Sequence, residues 1–336
     1  MSAEPQEISQ VTYEQLAALE DEFEEIDTQI IKHQYTLSAP SYAKRSALLA
    51  TIPNFWALVL ETCPPEIDQF IQPQDSQIFA ESLKSIEVSR PEIETSPRSV
   101  SVRFEFAPND FFSNGVLEKR FSWRRASDGW TGLVSEPVQV EWKKGKDLSE
   151  GLNGLAVQLF EARKKAGDFL KKDLKEYEAL AKKLESANAV NTSFFTWFGF
   201  VSGRRYVSAE ESEKAEKEYR EKKAKGETGK PDETEEEEDE EDDDKDDDSM
   251  VEVHEEGEQL AIAIAEDLWP GAIKYFTQAQ GMEEMSDIDF EEMEEDEESD
   301  DGEGEAIDIR ALVGGKKGGD RKSSGSGAPA AKKQKH

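Results

Sequence analysis

The charge of this chain is distributed so unevenly along the sequence that it decides which parts can fold. The 336 residues include 76 acidic and 41 basic ones, a formal net charge of −35. Residues 231–309 contain 37 acidic and 2 basic residues, whereas residues 310–336 contain 8 basic and 1 acidic. Dense runs of like charge repel themselves and have nothing apolar to bury, so they stay solvated. We therefore expect a nearly balanced folded body, a disordered acidic region and a basic tail.

The acidic runs restrict the class of partner. They repel the phosphates of nucleic acid, so direct, specific nucleic-acid binding is not expected. They attract basic proteins instead. A solubilising tail is the plainer interpretation of such a run, but two runs that flank a folded-looking segment favour a binding role.

Cysteine usage and hydropathy indicate a compartment. Cys63 is the only cysteine, which excludes an intrachain disulfide and is typical of a reducing environment. The N-terminal residues lack the apolar segment of a signal peptide. No apolar stretch approaches the ~18 residues that span a bilayer. We expect a soluble, intracellular protein.

The residues indicate no catalytic, cofactor or metal site. The three histidines, His33, His254 and His336, are far apart in sequence and do not form a zinc motif with one cysteine. A Gly-rich phosphate loop and a serine nucleophile elbow are missing from the sequence. Carboxylates in solvated runs give no preorganised acid/base pair. We therefore expect a protein that is not an enzyme and needs no cofactor.

An apolar stripe at helical spacing marks the N-terminal part of the chain. Spacings of three, four and seven residues predict the seam of a coiled coil on a long dimerisation helix over residues 11–60. An amphipathic helix packed on its own domain is the alternative. His33 falls on this seam and is interpreted as a packing residue, and Pro40 is expected to kink or end the helix. The predicted dimerisation residues are Leu16, Leu19, Phe23, Ile26, Ile30 and Leu37.

The middle of the chain predicts an α+β domain over residues 61–280. Alternation of apolar and polar residues indicates an antiparallel sheet with strands at 86–88, 100–106, 117–123 and 138–142. Helical patterns follow at 147–189 and 208–225. Between them, an aromatic cluster at 193–198 is predicted to belong to the core. A last helix over 260–269 is interrupted at Pro270. Residues 1–10, an insert at about 226–252, an acidic tail at 281–309 and a basic tail at 310–336 are expected to be disordered.

Five motifs resemble the nucleosome assembly protein family, and within it the SET (template-activating factor) branch. They occur in the order of the family and, with the N-terminal helix, span about residues 11–280. The motifs are Lys44-Arg45-Ser46 leading to Ile52-Pro53-Asn54-Phe55-Trp56; Asn109-Asp110-Phe111-Phe112-Ser113-Asn114 with Leu117; Glu141-Trp142-Lys143-Lys144-Gly145-Lys146-Asp147-Leu148; Ser193-Phe194-Phe195-Thr196-Trp197-Phe198; and Glu266-Asp267-Leu268-Trp269-Pro270 with Tyr275.

The resemblance implies a headphone-shaped homodimer, in which long helices pair antiparallel and an α+β domain, the earmuff, sits at each end. It also implies a nuclear histone chaperone of chromatin that binds either or both core-histone pairs, shields them from DNA and promotes nucleosome assembly and disassembly. Members of the branch also inhibit phosphatases and histone-tail acetylation, so an enzyme regulator is the alternative. An acidic scaffold in ribosome biogenesis is a third interpretation.

Candidate partner contacts follow from acidic residues beside the motifs and in the tail. The candidate histone-binding residues are Glu141, Glu266, Asp267, Glu291, Glu292, Glu294, Glu295, Asp296, Glu297 and Glu298. Those beside the motifs fit solvated surface charges equally well. The candidate nuclear-import residues are Lys316, Lys317, Arg321, Lys322, Lys332, Lys333 and Lys335, unless that tail only solubilises. Nuclear localisation is expected, with shuttling to the cytoplasm left open.

Two segments depart from the family pattern. The helical stretch 155–190 and the charged insert 208–249 look longer than in a minimal SET-like earmuff, and the basic tail is not a standard feature of the branch. Both departures leave the preferred partner open. The basic tail is also expected to fold back on the acidic run and compete with histones, since opposite charges lie about 10 residues apart on a flexible chain.

Overall fold

The computed structural model describes residues 10–186, 193–202, 206–224, 251–254 and 256–281. The chain begins with a 40-residue helix, α1 (Gln10–Leu49). This helix continues through Pro40, so the predicted end at Pro40 is wrong, while a kink there stays a prediction. Proline removes one backbone hydrogen bond from the helix. Contacts of the next turns, including Tyr42 and Arg45 with Trp269, hold the helix in place.

The predicted helical segment 11–60 is divided into two helices. After Leu49 the chain turns, and α2 (Phe55–Glu61) begins behind Asn54, whose φ of 56° is left-handed. Asparagine tolerates this conformation better than most residues, and Pro53 before it cannot donate a helical hydrogen bond. Because the chain turns between α1 and α2, Phe55 and Trp56 lie in the core, where they are 3% and 5% exposed.

The remaining elements form the earmuff. Two short helices lead into a four-stranded sheet, and helices follow to residue 281. In chain order the elements are α3 (Pro65–Asp68), α4 (Pro73–Ser82), β1 (Leu83–Ser89), β2 (Val100–Phe106), β3 (Val116–Arg125), β4 (Thr131–Ser135), α5 (Leu152–Ala166), α6 (Lys175–Ser186), a 3₁₀ helix (Phe194–Gly199), α7 (Ala209–Ala224), α8 (Gly257–Ala263), a π-helical turn (Ile264–Leu268) and α9 (272–281).

The sheet is an antiparallel meander in the order β1-β2-β3-β4. Its first three strands confirm the predicted alternation, but a fourth strand at 138–142 is wrong: the fourth strand is Thr131–Ser135. Pro137 breaks the ladder because it has no N–H group. The Val138 N–H beyond it donates to the Phe198 carbonyl at 2.6 Å, and Trp142 forms only an isolated bridge with Phe112.

The core lies between the inner face of the sheet and the aromatic 3₁₀ helix. Phe194, Phe195, Trp197 and Phe198 are each at most 1% exposed, which confirms the prediction that this cluster is core. The Phe104 ring of β2 meets Phe194, Trp197 and Phe198 edge to face, at centroid distances of 5.8 to 6.2 Å. Each such ring contributes about 1.5–3 kcal/mol through burial.

Two buried ionisable side chains anchor the ends of the aromatic helix. The Asp75 carboxylate accepts hydrogen bonds from Ser193 Oγ at 2.5 Å, from the Phe194 N–H at 2.8 Å and from the Gln72 N–H at 3.0 Å. At the other end, the buried Lys119 ammonium donates to the carbonyls of residues 136, 198 and 200. Burial lowers the pKa of Lys119 well below its usual range.

The predicted helix over 147–189 is two helices, because the chain reverses at Gly167. Gly167 has a φ of 72°, and its N–H closes the end of α5 on the Arg163 and Lys164 carbonyls. α6 then packs back on α5 through Leu159 and Leu180. α7 confirms the predicted helix at 208–225. None of the helices in the described ranges has the length and apolarity needed to cross a membrane.

Candidate functional site

The predicted seam is an exposed apolar stripe on α1. All six predicted dimerisation residues are exposed, by 49% to 67%: Leu16, Leu19, Phe23, Ile26, Ile30 and Leu37. From Leu16 to Leu37 the stripe extends over 22 residues, or about 32 Å of helix. A shallow groove runs along the stripe between Ile26 and Leu37, and His33 lines it. A contiguous apolar surface of this kind is typical of a protein interface.

A different face of α1 packs on the earmuff. At 100° per residue, the centre of the α1 face that contacts the earmuff lies roughly 135° around the helix axis from the centre of the seam. The Arg45 guanidinium contacts the rings of both Tyr42 and Trp269, 4.6 and 4.4 Å from their centroids, and donates to the Trp269 carbonyl at 2.7 Å. Leu49, one turn further on, is buried in the core. The domain of the same chain therefore does not cover the seam.

Two acidic residues on the face of α1 that points away from the seam contact the earmuff. The Asp21 carboxylate accepts a hydrogen bond from Tyr219 Oη at 2.7 Å and pairs with Lys223 Nζ at 3.3 Å, both from α7. Glu24 pairs with Arg98 at 3.7 Å. Burial and the Asp21 carboxylate raise the pKa of Tyr219 to about 12. Nothing in the local sequence indicates that α7, almost 200 residues later, contacts Asp21.

α7 is itself fastened to β3 by one arginine. The Arg125 guanidinium stacks over the Tyr219 ring at 3.9 Å and pairs with Glu216 at 3.1 Å, while the Arg125 N–H donates to Ser212 Oγ at 2.9 Å. We name this set of α1, β3 and α7 contacts the α7 clamp. It joins the long helix to the sheet through polar groups and fixes the position of α7.

Glu266 and Asp267 lie on the π-helical turn, which directs them outward while Leu268 and Trp269 are buried. Both carboxylates have partners in the same chain. Glu266 pairs with Arg90 at 3.7 Å, and Asp267 accepts a hydrogen bond from Tyr275 Oη at 2.8 Å. Burial and the Asp267 carboxylate raise the pKa of Tyr275 to about 12. Asp267 thus has a structural role that the sequence did not indicate.

Glu141 lies elsewhere on the domain. Its side chain is exposed, and its N–H donates to Asn114 Oδ1 at 2.7 Å, near the C-terminal end of β2. Arg90, the partner of Glu266, follows the β1 end that pairs with Ser101 at the other end of β2. Seven residues of strand separate these ends by about 20 Å. The structure therefore does not bring Glu141 together with Glu266 and Asp267 into one site.

The outer face of the sheet carries paired rather than unbalanced charge. Arg103 lies 3.4 Å from both Glu87 and Glu105, and Arg120 lies 2.8 Å from Glu118. Exposed pairs of this kind contribute little to stability. They do balance the charge of this face, so the face presents little excess negative charge to a basic partner.

The predicted contacts in the two C-terminal tails, residues 291–298 and 316–335, lie outside the described residues. Across the part of the chain that the structure describes, no group of three His, Cys, Asp or Glu side chains is placed to hold a metal ion. Cys63 is half-buried, and burial raises the pKa of its thiol to about 12, which keeps it protonated and unreactive.

A family model and the name of one relative point to the same family. The sequence model described as Nucleosome assembly protein (NAP) matches residues 3–279. A protein of Schizosaccharomyces pombe named as a nucleosome assembly protein is 30% identical over 294 residues, 84% of this chain and 86% of that protein. The Protein SET of Drosophila melanogaster is 31% identical over 116 residues, 33% of this chain and 41% of its own. A crystal structure of a Ccp1 mutant is 26% identical with a TM-score of 0.49, and covers 82% of this chain and 98% of that one.

Proposed function

The chain belongs to the nucleosome assembly protein family, and from that premise we propose that it is a non-enzymatic histone chaperone that acts in chromatin as a homodimer. The observation that carries the proposal is the family match, which extends over residues 3–279 and so includes α1 and the whole earmuff. The net charge of −35 supplies the physical reason. Histones reach DNA through Lys and Arg, and a polyanion competes for the same side chains.

The proposed dimer forms through the seam of α1. Six large apolar side chains stay exposed after the earmuff has packed on its own face of the helix. A second copy presents the same stripe, and the two stripes cover each other when the helices pair. His33 then lies within the interface as a packing residue.

The proposed histone contacts combine carboxylates of the folded domain with those of the acidic run 291–298. Glu141 has an exposed side chain on the folded domain, and Glu266 is only partly engaged by Arg90, with 62% of its side chain exposed. The acidic run 291–298 supplies many more charges. Attraction to the run is unselective because it depends on charge alone, and it weakens with added salt because screening acts over about 8 Å at physiological ionic strength. Selectivity between the core-histone pairs then belongs to the folded surface.

The experiment that tests this function is equilibrium binding of each core-histone pair over a salt series. The protein is compared with a variant in which Glu291, Glu292, Glu294, Glu295, Asp296, Glu297 and Glu298 become Gln or Asn. Binding of one pair that persists in the variant above physiological salt supports a selective chaperone. Equal, salt-controlled binding of histones and unrelated basic proteins would contradict it and favour an acidic scaffold. Inhibition of a phosphatase on a non-histone substrate, with histones omitted, would favour the regulator.

We also propose nuclear localisation. The residues that would direct import are Lys316, Lys317, Arg321, Lys322, Lys332, Lys333 and Lys335. Replacing all seven with Gln is expected to leave a fluorescent fusion in the cytoplasm. A variant that still accumulates in the nucleus contradicts this assignment of the tail without affecting the histone proposal.

A further inference from the structure

The turn between α5 and α6 is a basic surface on an acidic protein. Residues 164–175, which we name the basic tip, contain five lysines and two aspartates, whereas the whole chain has a net charge of −35. Lys164, Lys165, Lys172 and Lys175 are exposed. Such a surface does not suit a basic partner, which is the proposed partner of this protein, but it suits an anionic group.

The basic tip is held in a fixed shape. The Arg163 Nε–H donates to the Lys171 carbonyl at 3.1 Å, which closes the turn from inside. The Phe169 ring packs against Phe160 and Tyr206, with centroid distances of 5.5 and 4.3 Å. The lysines are therefore presented on an ordered support, which lowers the entropy lost when a partner binds.

The chain returns to the earmuff beside the basic tip after its acidic insert. Val251 and Val253 are buried in a cluster with Leu159 and Leu180 of the α5–α6 hairpin. Val251 also lines the same cavity as Phe169 of the tip. The insert's 232–248 segment contains 15 acidic residues and one lysine, and it ends three residues before Val251.

Distance and charge together indicate which anionic group can bind at the basic tip. Residues 246–248 precede Val251 by three to five positions, which limits their reach to about 10–18 Å of extended chain. A segment tethered this closely has an effective concentration in the millimolar range. Nucleic acid must compete with that segment at the tip, and the overall charge of the chain repels it.

We propose that the basic tip is the docking site of the acidic segment 232–248 of the same chain. The tip imitates a lysine-rich partner and occupies the segment until a more basic protein displaces it. The displacement step rests on the proposed histone-chaperone function, but the docking itself does not. Because each exposed ion pair is weak and screened by salt, the segment is released readily.

Zero-length carbodiimide cross-linking of the full chain tests the docking without any histone. This reagent joins a lysine amine to a carboxylate in contact with it. We expect cross-links between the basic tip and residues 232–248, which are mapped by mass spectrometry and decrease as salt is raised. The pairs Lys183–Glu150 at 3.1 Å and Lys223–Asp21 at 3.3 Å serve as internal standards. Standards that react while the tip does not, or tip cross-links that lead only to residues 283–308, overturn the proposal.

A matched pair of variants tests the consequence. Lys164→Gln with Lys165→Gln and Lys175→Gln removes three charges from the tip. Lys143→Gln with Lys144→Gln and Lys146→Gln removes three from a loop near the start of α5, some 20 Å of helix away. With a lysine-rich peptide as the probe, we expect binding to the tip variant to be roughly fivefold tighter than to the loop variant. The reason is that the tip of this variant no longer competes with the peptide for segment 232–248.

Two results of this comparison would overturn the proposal. One is equal peptide affinity for both variants, with circular dichroism showing that both are folded. The other is retardation of duplex DNA by the unmodified protein that the tip variant alone loses. If no form of the protein binds the peptide but the cross-links appear, the docking stands and the histone-chaperone function fails.

Discussion

At the scale of single residues, Asp75 shows how burial converts a hydrogen-bonded carboxyl into a pH-dependent element. Burial raises its pKa to about 6 even though three donors favour the charged form. The unfolded chain releases this proton near pH 4, and the folded protein keeps it until about pH 6. Folding is therefore favoured by this residue at low pH, and that contribution is lost as the pH rises through about 6.

Urea unfolding of Asp75→Asn and of the unmodified protein, at one fixed protein concentration, measures this contribution. Because asparagine does not titrate, the free energy of unfolding of the unmodified protein should fall relative to the variant by about 2 kcal/mol between pH 4 and pH 7. A difference that is constant over this range would show that the Asp75 pKa is not raised.

His254 should have the opposite effect. Its ring packs 4.6 Å from Phe70, and burial, with a smaller contribution from Lys119, lowers its pKa to about 4. The unfolded chain takes up a proton near pH 6.5, whereas the folded protein does so only near pH 4. The stabilisation is therefore complete above about pH 6.5 and is lost as the pH falls toward 4.

His254→Phe keeps an aromatic ring against Phe70 and removes the titration. We expect the unmodified protein to lose about 3 kcal/mol of unfolding free energy relative to this variant as the pH falls from 7 to 4. Denaturant titrations at several pH values measure the difference. Parallel stability curves for the two proteins would contradict the assignment.

At the scale of elements, we propose that the seam of α1 determines the oligomeric state. Phe23→Glu with Ile30→Glu places like charges on the exposed stripe, where pairing of two helices would bury them. We expect the protein to change from dimer to monomer in sedimentation velocity, with unchanged circular dichroism per residue.

The matched control adds the same charges elsewhere on α1. Thr36 and Ala43 are exposed and lie on the face that belongs neither to the seam nor to the earmuff. Thr36→Glu with Ala43→Glu should remain dimeric. A dimer in both variants would refute the seam, and a monomer in both would show that added charge alone disrupts the helix pair.

The α7 clamp is a second element whose stability depends on one side chain. Arg125→Met removes the ion pair with Glu216 and the stacking on Tyr219, contacts of about 0.5–2 kcal/mol. Hydrogen exchange of the amides in 209–224 should accelerate by roughly tenfold, since α7 opens locally without global unfolding. Arg120→Met on the same strand is the control, because Arg120 pairs only within β3. Equal exchange in both variants would show that Arg125 does not hold α7.

At the scale of the whole molecule, we propose that the basic tail regulates how much of the acidic run is available to a partner. Residues 310–336 carry eight basic residues directly after the acidic run. If this tail occupies the run, its deletion should tighten histone binding severalfold and steepen the salt dependence, because more ions are exchanged on binding. Titrations at several salt concentrations measure both quantities. Unchanged affinity and salt slope would exclude the competition.

The sequence by itself determined the features that depend on local periodicity. The alternation from Val100 to Phe106 identified β2, and the stripe from Leu16 to Leu37 identified the exposed face of α1. Each of these follows from neighbouring residues alone, since a strand repeats every two positions and a helix every 3.6.

Only the tertiary structure decided the features in which distant segments compete for the same backbone or side-chain group. The Val138 N–H bonds to Phe198 rather than to a strand neighbour, so residues 131–135 form the fourth strand. Asp21 is occupied by α7, and Glu141 is separated from Glu266 by the length of β2. A local pattern states which groups need partners, but the partner that each one finds depends on which distant segments fit together at lowest free energy.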